Sequence, residues 1–166
     1  MNKFIYKILD SEKVAQLAYD KFPKVKCAQA AFEAIIESLS ELEKYKNFPT
    51  YILSYGKAGI YAWNGTCGAV NGTLAAMSFI LSGDDQILKP VVDKFMERFL
   101  STKLPITNFE KKIKVPDLTC GGIVFKFLKT YGGDLESKDR KEFCKGLTYS
   151  AVKIAVDILN DLYLLR

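Results

Sequence analysis

The segment SKDRKEFCKGLTYSAVKIAVDILNDL, Ser137–Leu162, decides the fold. Within it Leu147, Ala151, Ile154, Ala155, Ile158 and Leu162 recur at three- and four-residue steps. That spacing gathers them on one face of a helix, whereas a half-buried strand would need strict alternation. Ser137 offers an oxygen to the unpaired N–H groups of a first turn, so the helix opens there. An apolar face of this length has to be covered by other helices.

Outward from that segment the same period recurs, and no alternating pattern is sustained. A helix is predicted from about Ser11 to Phe22, interrupted by Pro23. Cys27 opens a second, with Ala30, Ala31, Ala34, Ile35, Ser38 and Leu42 on its face and Asn47-Phe48-Pro49 ending it. Thr50 to Ile60 holds a short helix that stops at Gly56 or Gly59, and Asn64-Gly65-Thr66 forms a turn. A helix from Cys67 to Leu81 is closed by Ser82-Gly83. Asp84-Asp85 caps the next, to about Thr102, with Pro90 accommodated if it lies in the first turn. Residues 103 to 116 carry Pro105, Asn108, Pro116 and the cluster Lys111, Lys112, Lys114, and read as an exposed connection. Asp117 and Thr119 are N-cap candidates for a helix from Cys120 to Tyr131, terminated by Gly132-Gly133. The expected architecture is all-α: a single domain over residues 1–166, built as one antiparallel bundle of about six helices.

Composition bounds the function. The chain has 166 residues, of which 49% are apolar, enough for one sizeable core. A net charge of +5, scattered along the sequence, does not read as a nucleic-acid protein. There is no histidine, which removes imidazole bases, Ser-His and Cys-His pairs, His-containing zinc sites and His-ligated haem. The longest apolar stretch, Thr73 to Leu81, is far below the roughly 20 residues of a spanning helix. The short apolar N-terminal stretch is broken by Lys7 and followed by no cleavage site, so a cytoplasmic protein is expected. In that compartment its four cysteines read as thiols or metal ligands in preference to structural disulfides.

Cys27, Cys67, Cys120 and Cys144 are too widely spaced for a zinc finger or ribbon. Their settings are more informative, because three of the four fall in the first turn of a predicted helix. There the free N–H groups and the positive helix end favour thiolate and lower its pKa. Small residues follow each: Ala28, Gly68-Ala69 and Gly121-Gly122. Such residues let helix starts approach closely and leave N–H groups, those of Gly68, Gly72 and Gly121 among them, free for a bound group. Gly68, Gly72 and Ala76 also strip one helix face for close packing. The alternative is that these are ordinary buried cysteines and packing glycines. Tyr51, Tyr55, Tyr61 and Trp63 are expected to fill the core. Gly56-Lys57-Ala58-Gly59 lacks the Walker spacing and reads as a plain turn, and the Lys111–Lys114 cluster reads as solvated.

The run Lys26-Cys27-Ala28-Gln29-Ala30-Ala31, then Gly65-Thr66-Cys67-Gly68-Ala69-Val70-Asn71-Gly72, then Cys120 and Cys144, resembles the C-GCAxxG-C-C family of redox-active proteins. The likeness extends from about Ala18 to Leu159. That family is similar to the iron–sulfur part of split-Soret cytochromes c, whose helical domain is followed by a haem-bearing segment. Here there is no Cys-x-x-Cys-His, so no haem is expected. The resemblance implies that Cys27, Cys67, Cys120 and Cys144 are ligands of one iron–sulfur cluster, most simply 2Fe–2S, for electron transfer or redox sensing. A thiol-disulfide switch using Cys67 and Cys120, and an interaction module with inert cysteines, are the other readings. The expected partners are a redox protein of unknown identity and a second copy of the chain, but neither nucleic acid nor membrane. The homodimer follows from the small-residue face, from the apolar last helix (Val152, Val156, Leu159, Tyr163), and from the pairing of split-Soret proteins.

Overall fold

The computed structural model describes residues 6–165. Its elements run α1 (Ser11–Glu37), two short 3-10 segments (Glu43–Tyr45 and Thr50–Gly56), α2 (Ala58–Ala62), α3 (Gly68–Ile80), α4 (Asp85–Ser101), β1 (Lys103–Leu104), β2 (Ile113–Lys114), α5 (Cys120–Tyr131) and α6 (Lys138–Leu164). The fold is mostly helical, as the apolar periodicity requires, with one two-stranded antiparallel ribbon. No helix among the described residues is long and apolar enough to cross a membrane.

α1 and α6 form the spine, and their cross-links fix their direction. Tyr6 donates to Asn160 Oδ1 at 2.8 Å, Lys153 pairs with Glu12 at 3.1 Å, and Tyr19 donates to Glu142. The partner number falls as the first rises, so the two helices are antiparallel. Val152, Ala155, Val156, Ile158 and Leu159 of α6 are buried with Ala28, Ala31, Phe32 and Ile35 of α1 in one core.

α1 is two helices laid end to end. Asp10 caps the first by accepting from Glu12 and Lys13 N–H, and Lys26, with φ 64 and ψ −178, breaks the path three residues after Pro23. The break restarts the helix at Cys27, as expected from the sequence. α3 crosses that restart at very short range. A Cβ on Gly72 would lie 2.0 Å from Ala28 O, so only a bare Cα fits.

Several expectations are corrected. The second helix ends at Glu37 rather than near Leu42, where a turn and the first 3-10 segment take over. Pro90 lies in the second turn of α4, leaving one backbone carbonyl without its helical donor. Residues 103 to 116 are no exposed connection. Lys103 and Leu104 pair with Lys114 and Ile113, the side chains of Leu104, Ile113 and Val115 are buried, and Ile106 N–H donates to Ser150 Oγ at 2.7 Å. Lys111 pairs with Asp139 instead of standing free in solvent. The four aromatics expected in the core lie outside it: Tyr51, Tyr55, Tyr61 and Trp63 are exposed, Trp63 to 86%. Most of the residues from which a homodimer was expected are used within the chain, while Tyr163 is exposed. Gly68 and Gly72 meet α1, and Ala76, Val152, Val156 and Leu159 are buried.

Candidate metal centre

The four cysteines come from four different elements. Cys27 begins the second half of α1, Cys67 is the N-cap of α3, Cys120 is the first residue of α5, and Cys144 lies in the second turn of α6. All four line a single cavity of about 980 Å³. A short antiparallel bridge, Thr66 to Thr119, brings two of them there. Cys67 N–H donates to Leu118 O at 2.7 Å, and Cys120 N–H donates to Gly65 O at 3.0 Å. Cys27 and Cys67 are neighbours through Gly68, whose added Cβ would stand 2.2 Å from Cys27 Sγ. Among the described residues, no group of three or more Cys, Asp or Glu side chains is placed so that it could hold a metal ion.

α2 forms a wall of this cavity and is a single left-handed turn. Ala58, Gly59, Ile60, Tyr61 and Ala62 all have positive φ, between 49 and 70. For each non-glycine residue that conformation costs roughly 1–2 kcal/mol, and β-branched Ile60 is the least suited. Bonds on both sides hold the turn: Tyr61 N–H donates to Lys57 O, and Gly65 N–H to Gly59 O, each at 2.8 Å. The strained turn delivers the Ala58 N–H to the Cys27 sulfur and seats Gly59 so close to Cys120 that a Cβ would lie 2.6 Å from the cysteine Cβ.

Burial dominates the electrostatics of the thiols. It pushes all four pKa values up, Cys144 to about 12, because a thiolate taken out of water is penalised. The lowering expected from helix N-termini is therefore outweighed. It survives only as an opposing effect at Cys27, whose sulfur receives N–H groups of Ala58, Ala28, Cys27 and Gly68. Cys67 is raised further by the proximity of Cys27, Cys144 and Cys120. Arg140 opposes the rise at Cys144, to which it hydrogen-bonds, and at Cys120. In the metal-free protein at pH 8, iodoacetamide is expected to label Cys120, the least buried thiol, first and Cys67 last. Mass spectrometry of timed digests checks the order, and fast labelling of Cys67 would contradict this picture of burial.

Of the three glycines expected to touch a bound group, only Gly68 offers its N–H to a cysteine sulfur. Gly121 lines the cavity, but its N–H already donates to Asn64 Oδ1 at 2.7 Å. Gly72 packs α3 on α1 and lies outside the cavity. Sequence reasoning missed Asn64, Asp117 and Arg140. Asn64 was read as part of a turn, and its hold on α5 is visible only in three dimensions. Asp117 was read as a cap, and its carboxylate in fact receives both the N–H and hydroxyl of Thr119 at 2.7 Å. Arg140 carried a legible signal, since it precedes Cys144 by four residues and so shares its helix face.

Residues 25–158 match the family model described as "Putative redox-active protein (C_GCAxxG_C_C)". The chain belongs to this family. The match begins just before Cys27 and ends beyond Cys144, so it takes in all four cysteines; of the cavity lining, Phe22 and Pro23 precede it. The split-Soret cytochrome c of Desulfovibrio desulfuricans is 31% identical over an alignment of 166 residues covering 92% of the chain and 59% of the relative. The C-GCAxxG-C-C chain thus spans about three fifths of the curated relative it matches. A solved structure described as "A novel iron centre in the split-Soret cytochrome c from Desulfovibrio desulfuricans ATCC 27774" superposes with a TM-score of 0.87 at 28% identity, covering 96% of this chain and 71% of that one.

Proposed function

We propose that the chain is a small electron carrier or redox sensor holding one iron–sulfur cluster, of the 2Fe–2S type, on Cys27, Cys67, Cys120 and Cys144. The observation that carries this reading is the convergence of four cysteines from four elements on one cavity, in a chain without histidine. An all-thiolate donor set suits iron–sulfur chemistry, and the related split-Soret protein is described as having an iron centre. When bound, the cluster supplies one-electron chemistry.

The chain's own residues do the rest. The N–H groups of Gly68 and Ala58 share the negative charge of the Cys27 sulfur, which favours its ligand form. The bridge between Thr66 and Thr119 fixes the separation of the segments bearing Cys67 and Cys120. Cys27, Cys67, Cys120 and Cys144 would hold the cluster as thiolates, each having given up its proton. Phe125 and Leu135 give the cavity an exposed apolar mouth, and Lys26, Lys57, Lys138 and Lys145 make its lining basic. A redox protein with an acidic face is the partner this surface fits.

Anaerobic reconstitution with ferrous iron and sulfide tests the reading. A coloured protein with two iron and two sulfide per chain is the outcome expected for a 2Fe–2S centre. A colourless, metal-free chain that titrates as one disulfide would replace it with the Cys67–Cys120 switch, and one that does neither would leave four structural thiols.

A further inference from the structure

Arg140 stands one helical turn before Cys144 on α6 and is the only arginine lining the cavity among the described residues. Its guanidinium is anchored: Nε donates to Leu135 O at 2.6 Å, and Nη2 donates to the same oxygen. The group also hydrogen-bonds the Cys144 sulfur and is felt at Cys120. Four of the five lysines that line the cavity are engaged elsewhere. Lys26 donates to Pro23 O, Lys57 and Lys145 lie over the rings of Tyr61 and Tyr19, and Lys141 pairs with Glu136. Arg140 is thus a cation held at the sulfurs by a fixed geometry, and a guanidinium keeps its charge at any working pH.

We propose that Arg140 is the built-in counter-charge of the four-cysteine centre, a positioning residue that fixes Cys144 and offsets the charge left when all four thiols are ionised. The proposal rests on the metal-centre reading and deepens it. Four thiolates around one divalent cation carry a net charge of −2. The same thiolates around two ferric ions and two sulfides also carry −2, which becomes −3 when one electron arrives from dithionite. A cation fixed beside these sulfurs therefore favours metal binding, and favours the reduced cluster over the oxidised one. Groups just outside the ligand shell commonly change metal affinity 10- to 100-fold.

The test uses the full metal-free chain under anaerobic conditions, titrated with Co²⁺ and followed by thiolate-to-cobalt absorption, for wild type, Arg140→Gln and Arg140→Lys. Arg140→Gln is expected to bind Co²⁺ about tenfold more weakly, while Arg140→Lys, which keeps the charge and loses the fork to Leu135, stays within about threefold of wild type. After loading with iron and sulfide, Arg140→Gln is expected to show an oxidised-to-reduced ratio about tenfold higher at one fixed potential, which is about 59 mV for a one-electron couple. Equal Co²⁺ affinity in wild type and Arg140→Gln would overturn the proposal. An equal loss in Arg140→Lys would overturn it too, by assigning the effect to the Leu135 bonds. Wild type that binds Co²⁺ through its thiolates, with the tenfold loss in Arg140→Gln, but takes up no iron and sulfide would support the counter-charge and refute the iron–sulfur reading. No Co²⁺ binding by wild type would refute both.

Discussion

Replacing Gly72 by alanine is expected to destabilise the chain by about 3 kcal/mol or more, at the upper end of overpacking effects. The new Cβ would fall 2.0 Å from the carbonyl oxygen of Ala28, 2.7 Å from its carbon and 2.9 Å from its Cα. These are backbone atoms in the first turn of a helix, so no rotamer change relieves the overlap. α3 and the second half of α1 would have to separate, opening the core around fully buried Ala28, Ala31 and Ala76. For a chain of this size the loss corresponds to roughly 10 °C in Tm, read by circular dichroism at 222 nm. Gly83→Ala is the control, because Gly83 has φ +65 with nothing within 4 Å of the added carbon. It should cost only the left-handed strain, about 1–2 kcal/mol. Equal melting of Gly72→Ala and wild type would show that the close crossing does not govern the fold.

Replacing any one of the four cysteines by serine is expected to remove the bound centre almost completely. A serine hydroxyl stays protonated and is a hard oxygen donor, so the three remaining thiolates would face iron with one position poorly filled. Cys67→Ser should be the most severe, since that side chain is buried, lies beside the other three, and sits where α3 starts on the bridge to the α5 segment. The four substitutions should act alike on the centre but unequally on stability. Cys120, more open than Cys67, is expected to melt nearest to wild type as the metal-free variant. If the cysteines were inert, the effects would follow burial alone, and no spectral change would accompany them.

Most of the helical frame was legible because it rests on local signals. Ser137 and Thr119 cap their helices as expected, by accepting from Arg140 and Gly122 N–H, and Asp84 caps α4. The restart at Cys27 followed from Pro23, although the residue that bends is Lys26. The misread parts depend on long-range partners. Leu104 and Val115 sit in a proline-bounded, lysine-rich stretch, and only their burial beneath the ribbon reveals a structural role. The aromatic cluster failed for a related reason, because a left-handed turn throws Tyr61 and Trp63 outward where a helix would have turned a face inward. No sequence period announces five successive positive φ values, four of them at non-glycine residues. The convergence of the cysteines was expected from the family resemblance, with helix starts and small neighbours consistent with it. Their raised pKa values were not, because helix-end effects are readable in a sequence and burial is set by packing.

The most direct test of the metal-centre account is the iron content of the anaerobically prepared, iron- and sulfide-loaded chain, measured together with visible absorption for wild type and the four single Cys→Ser variants. The account predicts two iron per chain and strong visible absorption in wild type. It predicts near-zero iron in all four variants, with circular dichroism still helical in at least Cys120→Ser. Wild-type iron retained in any correctly folded variant, Cys144→Ser included, would contradict a centre held by all four cysteines.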